Sequence, residues 1–136
     1  MGDSPLPRTI LFDLYGTLVP GGSRLQRDSL AFQMAEVLDV DRFKFADIVR
    51  STFDDRVRGS MGGLSETISE LARRVGGRPT AQQVALAAQQ RLTFTRKLLS
   101  DTHSAPHLVN LKARGHLLGI VTDSCIFRRL LYTRSD

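Results

Sequence analysis

Apolar residues follow two different patterns along this chain. Residues 9–14 (TILFDL) and 117–121 (LLGIV) are short, nearly continuous apolar runs, and such runs are typical of strands buried on both faces of a parallel sheet. Between them, apolar residues recur at helical spacing in four long stretches and in a shorter one around Leu108 and Leu111. The four stretches are Leu30, Met34, Val37 and Leu38; Phe45, Val49, Phe53 and Val57; Leu64, Ile68, Leu71 and Val75; and Val84, Ala88, Leu92 and Leu99.

Capping residues mark where the helical stretches begin and end. Ser23 with Gln26, and Thr80 with Gln83, have the Ser/Thr-x-x-Gln spacing of a capping box, so we expect a helix to start after each pair. Gly115 precedes the second apolar run and suits the left-handed residue that ends a helix.

The predicted order is therefore strand, helical bundle, helix, strand. Two strands joined by a long helical excursion predict a parallel pair and an α/β fold. In such sheets ligands bind at the carboxyl ends of the strands. We therefore look for functional residues directly after the two strands.

Composition limits the classes of function. The chain has 136 residues, a net charge of +5 and one cysteine, Cys125, which fits one soluble domain without an internal disulfide. The arginines are scattered rather than gathered in one block, so we expect no nucleic-acid partner and instead a preference for a small anionic substrate. Because no apolar run approaches the roughly 20 residues that cross a bilayer and no secretory signal is apparent, we expect no membrane partner and a cytoplasmic location.

The first candidate site follows the first strand. Asp13 emerges into the turn Leu14-Tyr15-Gly16-Thr17, whose N–H groups could face an anion and in which Thr17 could hydrogen-bond. A carboxylate in this position can displace a leaving group to form an ester, which water then cleaves. Asp-x-x-Gly-Thr is also ordinary turn chemistry, so a structural role stays open.

The second candidate site follows the second strand. Thr122, Asp123 and Ser124 are short hydrogen-bonding residues that could hold a substrate oxyanion close to Asp13. The same three residues are also favoured at the start of a helix. The two motifs together, on adjoining strand ends, favour a functional site.

Both motifs resemble signatures of one family. ILFDLYGTLV resembles the first signature of the haloacid dehalogenase superfamily of hydrolases, and LKARGHLLGIVTDS resembles the approach to the second. The resemblance implies a partial Rossmann-like α/β core formed by residues 7–20 and 105–124. It implies a helical cap over residues 21–104, and it leaves residues 125–136 as an atypical tail.

The resemblance also implies a role for individual residues. Asp13 would be the catalytic nucleophile. The substrate-binding residues would be Leu14, Tyr15, Thr17, Thr122 and Asp123, the last standing where the family often has asparagine.

Tyr15 distinguishes between branches of that family. Its phosphatases carry a second aspartate two residues after the nucleophile, where this chain has Tyr15. An alkoxide leaving group needs a proton, whereas a halide does not, and a phenol with a pKa of about 10 is a poor base at neutral pH. The resemblance therefore implies a 2-haloacid-dehalogenase-like enzyme that needs no cofactor. The alternative is a magnesium-dependent phosphatase, in which Asp13 would also be a metal ligand.

The family's later catalytic segment has no counterpart here. Its lysine and acidic loop would follow Ser124, but the chain continues as CIFRRLLYTRSD. We therefore expect an incomplete core, and a chain that is catalytically silent alone and either self-associates or needs a partner chain. A non-catalytic remnant or binding module is the alternative to an enzyme.

Four arginines and three histidines are further candidates for an anion contact or a metal ligand, respectively. Arginines on cap-like helices could receive a halide or a carboxylate, although exposed arginines are the rule. The three histidines have no metal-ligand spacing, and we expect them to lie at the surface. These residues are Arg56, Arg58, Arg73 and Arg74, and His103, His107 and His116.

Overall fold

The fold is mixed α/β and mostly helical. A computed structural model describes residues 6–122, in which six helices lie between two strands. In chain order these elements are β1 (Thr9–Phe12), α1 (Arg24–Leu38), α2 (Arg42–Ser51), α3 (Phe53–Val57), α4 (Leu64–Arg74), α5 (Ala81–Leu99), α6 (Ala105–Ala113) and β2 (Leu117–Ile120). None of the helices in these residues is long and apolar enough to cross a membrane.

The described chain divides into two compact units. The first, which we call the sheet unit, comprises the chain through Gly21 together with Leu98–Thr122. The second, the helical unit, comprises Gly22–Lys97. The helical unit is thus inserted in sequence between the two halves of the sheet unit.

The helical unit has a continuous apolar core. Residues of the predicted stripes supply most of it, because helical spacing places each stripe on one face of its helix, and five neighbouring alanines that the stripes did not include complete it. The largest fully buried apolar side chains are Phe45, Leu38, Ile68 and Leu71. The remaining core residues are Leu30, Ala31, Met34, Ala35, Ala46, Leu64, Ala72, Val84, Ala87 and Ala88.

One predicted helical stretch is interrupted at Thr52. Phe45 and Phe53 were expected on one stripe, but α2 ends at Ser51 and α3 begins at Phe53. The Thr52 hydroxyl donates a hydrogen bond of 2.6 Å to the carbonyl of Ile48, a contact that commonly bends helices. Phe45 is therefore buried, whereas Phe53 is half exposed.

The predicted caps are confirmed. The N–H of Gln26 donates to the Ser23 hydroxyl at 3.1 Å and the N–H of Ser23 donates to the Gln26 side chain at 2.8 Å. Thr80 and Gln83 make the same pair of bonds at 3.2 and 2.8 Å. Gly115, with a φ of 85°, ends α6 in the left-handed conformation.

The two strands form a parallel pair, as predicted. Thr9 is opposite Leu117 and Phe12 is opposite Ile120. Both strands are shorter than the apolar runs that predicted them. The regular pairing stops before Asp13 and before Val121.

The prediction that both strands are buried on both faces is wrong for the described residues. Leu11 is 63% exposed and Leu117 is 70% exposed, and no residue of either strand is buried. A parallel strand is buried only when layers cover both faces of its sheet. Within residues 6–122 the sheet has two strands, and α6, which contacts β2, has no buried residue.

Core packing in the helical unit predicts that replacing a buried leucine by alanine destabilises the fold more than the same change at an exposed leucine. Leu71→Ala should lower the free energy of unfolding by about 2–5 kcal/mol because it leaves a cavity among fully packed side chains. Leu86→Ala, at a leucine on α5 that is 45% exposed, should cost less than about 1 kcal/mol. Urea denaturation of both variants measures the difference, and equal losses would contradict the assigned core.

Candidate functional site

The parallel register places the two candidate motifs at the same end of the sheet. Phe12 and Ile120 are the last paired residues, and the N–H of Val121 still donates to the carbonyl of Phe12 at 2.8 Å. Asp13 and Thr122 therefore leave adjacent strand ends at the carboxyl edge. Both residues are exposed, so a solute can reach them.

The turn after Asp13 is closed by its own backbone. The carbonyl of Leu14 accepts hydrogen bonds from the N–H groups of Thr17, Leu18 and Val19 at 3.3, 2.9 and 3.0 Å. Gly16, with a φ of 82°, supplies the left-handed residue that this tight turn needs, a conformation that side chains with a Cβ rarely adopt. The turn is consequently a compact loop, residues 14–19, which we call the Asp13 loop.

The N–H groups of this loop do not form the expected anion cradle. The N–H of Gly16 donates to the carbonyl of Val19 at 2.7 Å, and the next three N–H groups donate to Leu14. The N–H of Leu14 donates to Oδ1 of Asp13 at 2.9 Å. The loop therefore orients the Asp13 carboxylate, because a hydrogen bond to a charged oxygen is stronger than one between neutral groups, but four of its donors are already used.

The other predicted loop residues occupy different environments. The Leu14 side chain is buried, so it anchors the loop, while Tyr15 is half-buried and bridges to Val19. The Thr17 side chain is exposed, and the bond it makes in the turn comes from its N–H rather than from its hydroxyl. Asp123, Ser124 and Cys125 lie outside the described residues.

No metal centre is visible in the part of the chain that the structure describes. Within residues 6–122, no three His, Cys, Asp or Glu side chains are grouped so that they could hold a metal ion. In the magnesium-dependent alternative, Asp13 would be a ligand of the metal. Of the two candidate motifs, it is the carboxylate that lies within the described residues.

Arg56 differs from the exposed arginine that the sequence led us to expect. Its side chain is buried, and Nη1 donates to the carbonyl of Val49 and, at 2.7 Å, to the hydroxyl of Thr52. Its guanidinium carbon lies 6.0 Å from the centre of the Phe53 ring. These contacts tie α3 to the end of α2, so Arg56 has a structural role, whereas Arg58 is exposed.

Arg73 and Arg74 both pair with one carboxylate on their own helix. Glu70 accepts hydrogen bonds from Arg73 Nη2 at 2.8 Å and from Arg74 Nε at 2.9 Å. The hydrogen bond from Arg74, with the positive charges of both arginines, lowers the pKa of Glu70 below its usual value. Two of the four candidate arginines are therefore engaged on the surface of α4.

One histidine has a role that the sequence did not indicate. Nδ1 of His116 accepts a hydrogen bond of 3.2 Å from the N–H of Arg8. This bond joins the residues that precede the two strands, at the end of the sheet opposite Asp13. His103 and His107 are exposed, as expected.

Fold and site together define the class of this chain as a mixed α/β protein with an exposed carboxylate at the carboxyl edge of a parallel strand pair. No protein-family model, no curated protein and no solved structure matches the chain. The functional assignment therefore depends on the residues and their arrangement.

The contacts of Arg56 predict that it contributes to stability. Arg56→Met should lower the free energy of unfolding by about 1–3 kcal/mol, because the buried Thr52 hydroxyl and the Val49 carbonyl lose their charged donor. Arg58→Met, the matched change at an exposed arginine on the same segment, should change it by less than about 0.5 kcal/mol. Urea denaturation compares them, and a neutral Arg56→Met variant would refute the structural role.

The lowered pKa of Glu70 predicts a pH dependence of stability. A carboxylate with a lowered pKa in the folded state stabilises the fold above its ordinary pKa, and this contribution is lost as the pH falls through the lowered value. Between about pH 7 and about pH 3, the thermal midpoint of the parent should therefore fall slightly more than that of Glu70→Gln.

The effect should be small because the pair is exposed, and added salt should reduce it further. Glu36→Gln, at an exposed glutamate on α1, is the control. Identical pH profiles of the parent and Glu70→Gln at low salt would show that the pairing does not stabilise the folded state.

Proposed function

We propose that this chain carries the nucleophile-bearing part of a hydrolase similar to the haloacid dehalogenase superfamily, with Asp13 as the nucleophile. The observation that carries the proposal is the register of β1 and β2. It brings Asp13 and Thr122 to adjacent strand ends, although the whole helical unit separates them in sequence. Ligand sites of open α/β sheets lie at this edge.

The reaction we propose is hydrolysis of a carbon–halogen bond in a small 2-halocarboxylate. A carboxylate oxygen of Asp13 attacks the halogen-bearing carbon, the carbon–halogen bond breaks, and halide leaves with the bonding electron pair. Water then attacks the carbonyl carbon of the resulting ester. This step regenerates Asp13 and releases the 2-hydroxy acid.

The hydrogen bond from Leu14 assigns different roles to the two oxygens of Asp13. Oδ1 accepts the N–H of Leu14 at 2.9 Å, which leaves Oδ2 as the attacking atom. In the ester, Oδ1 becomes the carbonyl oxygen and gains negative charge when water attacks. The N–H of Leu14 is then a donor aimed at the developing oxyanion.

Thr122 supplies the second part of the proposed site. Its hydroxyl would hydrogen-bond the carboxylate of the substrate from the neighbouring strand end. Tyr15 supports a halide over a phosphate substrate because no second carboxylate stands two residues after Asp13 to protonate a leaving alkoxide. Magnesium-dependent phosphoester hydrolysis remains the alternative that the experiment below separates.

A non-catalytic binding module is the rival proposal. It is favoured by the Asp13 loop, in which the N–H groups of residues 16–19 donate to carbonyls of the loop itself. A catalytic loop of this type would be expected to offer more of these donors to its substrate.

The nucleophile assignment is tested in a version of the chain continued beyond Thr122 by the lysine-bearing half of a haloacid-dehalogenase-type hydrolase. This version should release halide from a short 2-halocarboxylate without added magnesium. Asp13→Asn should lower the rate by at least about a thousandfold, because an amide cannot form the ester. A single turnover in water enriched in oxygen-18 should place the label in the carboxylate of Asp13.

The control is Asp54→Asn, at an exposed aspartate of α3, which should leave the rate unchanged. Circular dichroism of each variant verifies that the helical unit is folded. Full activity of Asp13→Asn would refute the assignment, and phosphatase activity with magnesium that exceeds halide release would favour the alternative. A folded but inactive parent would favour the binding module.

A further inference from the structure

A groove on the helical unit takes no part in the proposed function. It has a volume of about 450 Å³ and lies between α1 and the start of α2, within the helical unit alone. Sites for small molecules are typically clefts of roughly 300–1,000 Å³, so this groove has room for a small ligand. Its lining residues are Ser29, Phe32, Gln33, Glu36, Val40 and Arg42.

Arg42 is positioned in the groove by two aromatic rings. Its guanidinium carbon lies 5.4 Å from the centre of the Phe32 ring and 4.9 Å from that of Phe43, and the two rings meet edge to face. Both distances are typical of a cation–π interaction. Within the described chain Arg42 has no hydrogen bond or ion pair. Its N–H groups are therefore available, and their planar fork matches the geometry of a carboxylate.

The same groove contains a negative charge that is also unpaired. Glu36 is exposed on α1, and in residues 6–122 its carboxylate takes part in no ion pair or hydrogen bond. It lies one helical turn after Phe32, and residues at this spacing are neighbours on a helix surface. Opposite charges thus line one groove without pairing with each other, and a ligand that carries both charges would satisfy the two together.

The groove also offers an apolar surface and neutral polar groups. Phe32 and Val40 are partly buried against the core of the helical unit, so their remaining surface can receive an apolar group. Ser29 and Gln33 lie on the same side of α1 as Glu36, because they precede it by seven and three residues. Their side chains can donate and accept hydrogen bonds. The lining therefore suits a carboxylate, an ammonium group and an apolar side chain in one small molecule.

We propose that this groove binds a free α-amino acid with an apolar side chain. Arg42 donates two N–H groups to the α-carboxylate, Glu36 accepts the N–H groups of the α-ammonium, and the side chain lies against Phe32 and Val40. A residue within a peptide carries neither of these charges, so the free amino acid is the better match. No residue of the sheet unit is involved, and the inference is therefore independent of the proposed function.

Analogues that lack one charge test the proposal on the full chain. L-phenylalanine is titrated while the amide signals of residues 29–42 are followed by NMR, at about pH 6, below the ordinary pKa of an α-amino group. N-acetyl-L-phenylalanine lacks the ammonium and the methyl ester of L-phenylalanine lacks the carboxylate. Each should bind about three- to fivefold more weakly, the range expected for exposed charge pairs.

Two variants assign each charge of the ligand to its partner. Arg42→Met should remove the preference for L-phenylalanine over its methyl ester, and Glu36→Gln should remove the preference over the N-acetyl derivative. Arg58→Met and Glu66→Gln, at exposed residues of the same unit, are the matched controls and should retain both preferences. The amide spectrum of each variant verifies that it is folded.

Three results would overturn the proposal. The first is the absence of saturable shifts in residues 29–42 of the parent chain. The second is equal binding of L-phenylalanine and its two derivatives. The third is a folded Arg42→Met or Glu36→Gln variant that keeps the preference it is expected to lose.

Discussion

The parallel pairing of β1 and β2 is the interaction on which the sheet unit and its candidate site depend. Its ladder runs from the hydrogen bond between the N–H of Leu117 and the carbonyl of Arg8, at 3.0 Å, to the bond between Val121 and Phe12, at 2.8 Å. The hydrogen bond from the N–H of Arg8 to His116, 108 positions along the chain, adds a side-chain contact at the start of this ladder. By joining such distant parts of the chain, the ladder brings the two motifs to the same edge of the sheet.

The two units differ in how much of their apolar surface is buried. Helices of the helical unit pack their apolar stripes on one another, and Ile68 and Leu71 are fully buried there. The sheet unit has equally apolar strands, but within its described residues only α6 packs beside them, and Leu11 and Leu117 remain in contact with solvent. Because burial of apolar surface is the dominant favourable term in folding, the helical unit should be the more stable part.

The Asp13 loop combines a backbone that is hydrogen-bonded within itself with an accessible Asp13 side chain. Its carbonyl groups at Leu14 and Val19 accept the N–H groups of residues 16–19, which makes the loop compact without any help from a ligand. The carboxylate itself is exposed and is oriented by the following N–H. This arrangement orients one oxygen of Asp13, whereas a substrate would need donors from elsewhere, and the proposed one is Thr122 at the neighbouring strand end.

The sequence by itself determined the local features of this protein. Capping at Ser23 and Thr80, the left-handed Gly115 and the helical stripes were predictable because each depends on residues within a few positions of one another. The order of elements predicted a parallel pair and, with it, that Asp13 and Thr122 share an edge. Only the tertiary structure decided the rest, because burial and side-chain partners depend on which distant segments meet. It left exposed two strands whose composition indicates burial. The burial of Arg56 against the end of α2 and the hydrogen bonds within the Asp13 loop involve residues only a few positions apart, but the residue pattern alone did not distinguish them from an exposed arginine and a loop with free N–H groups.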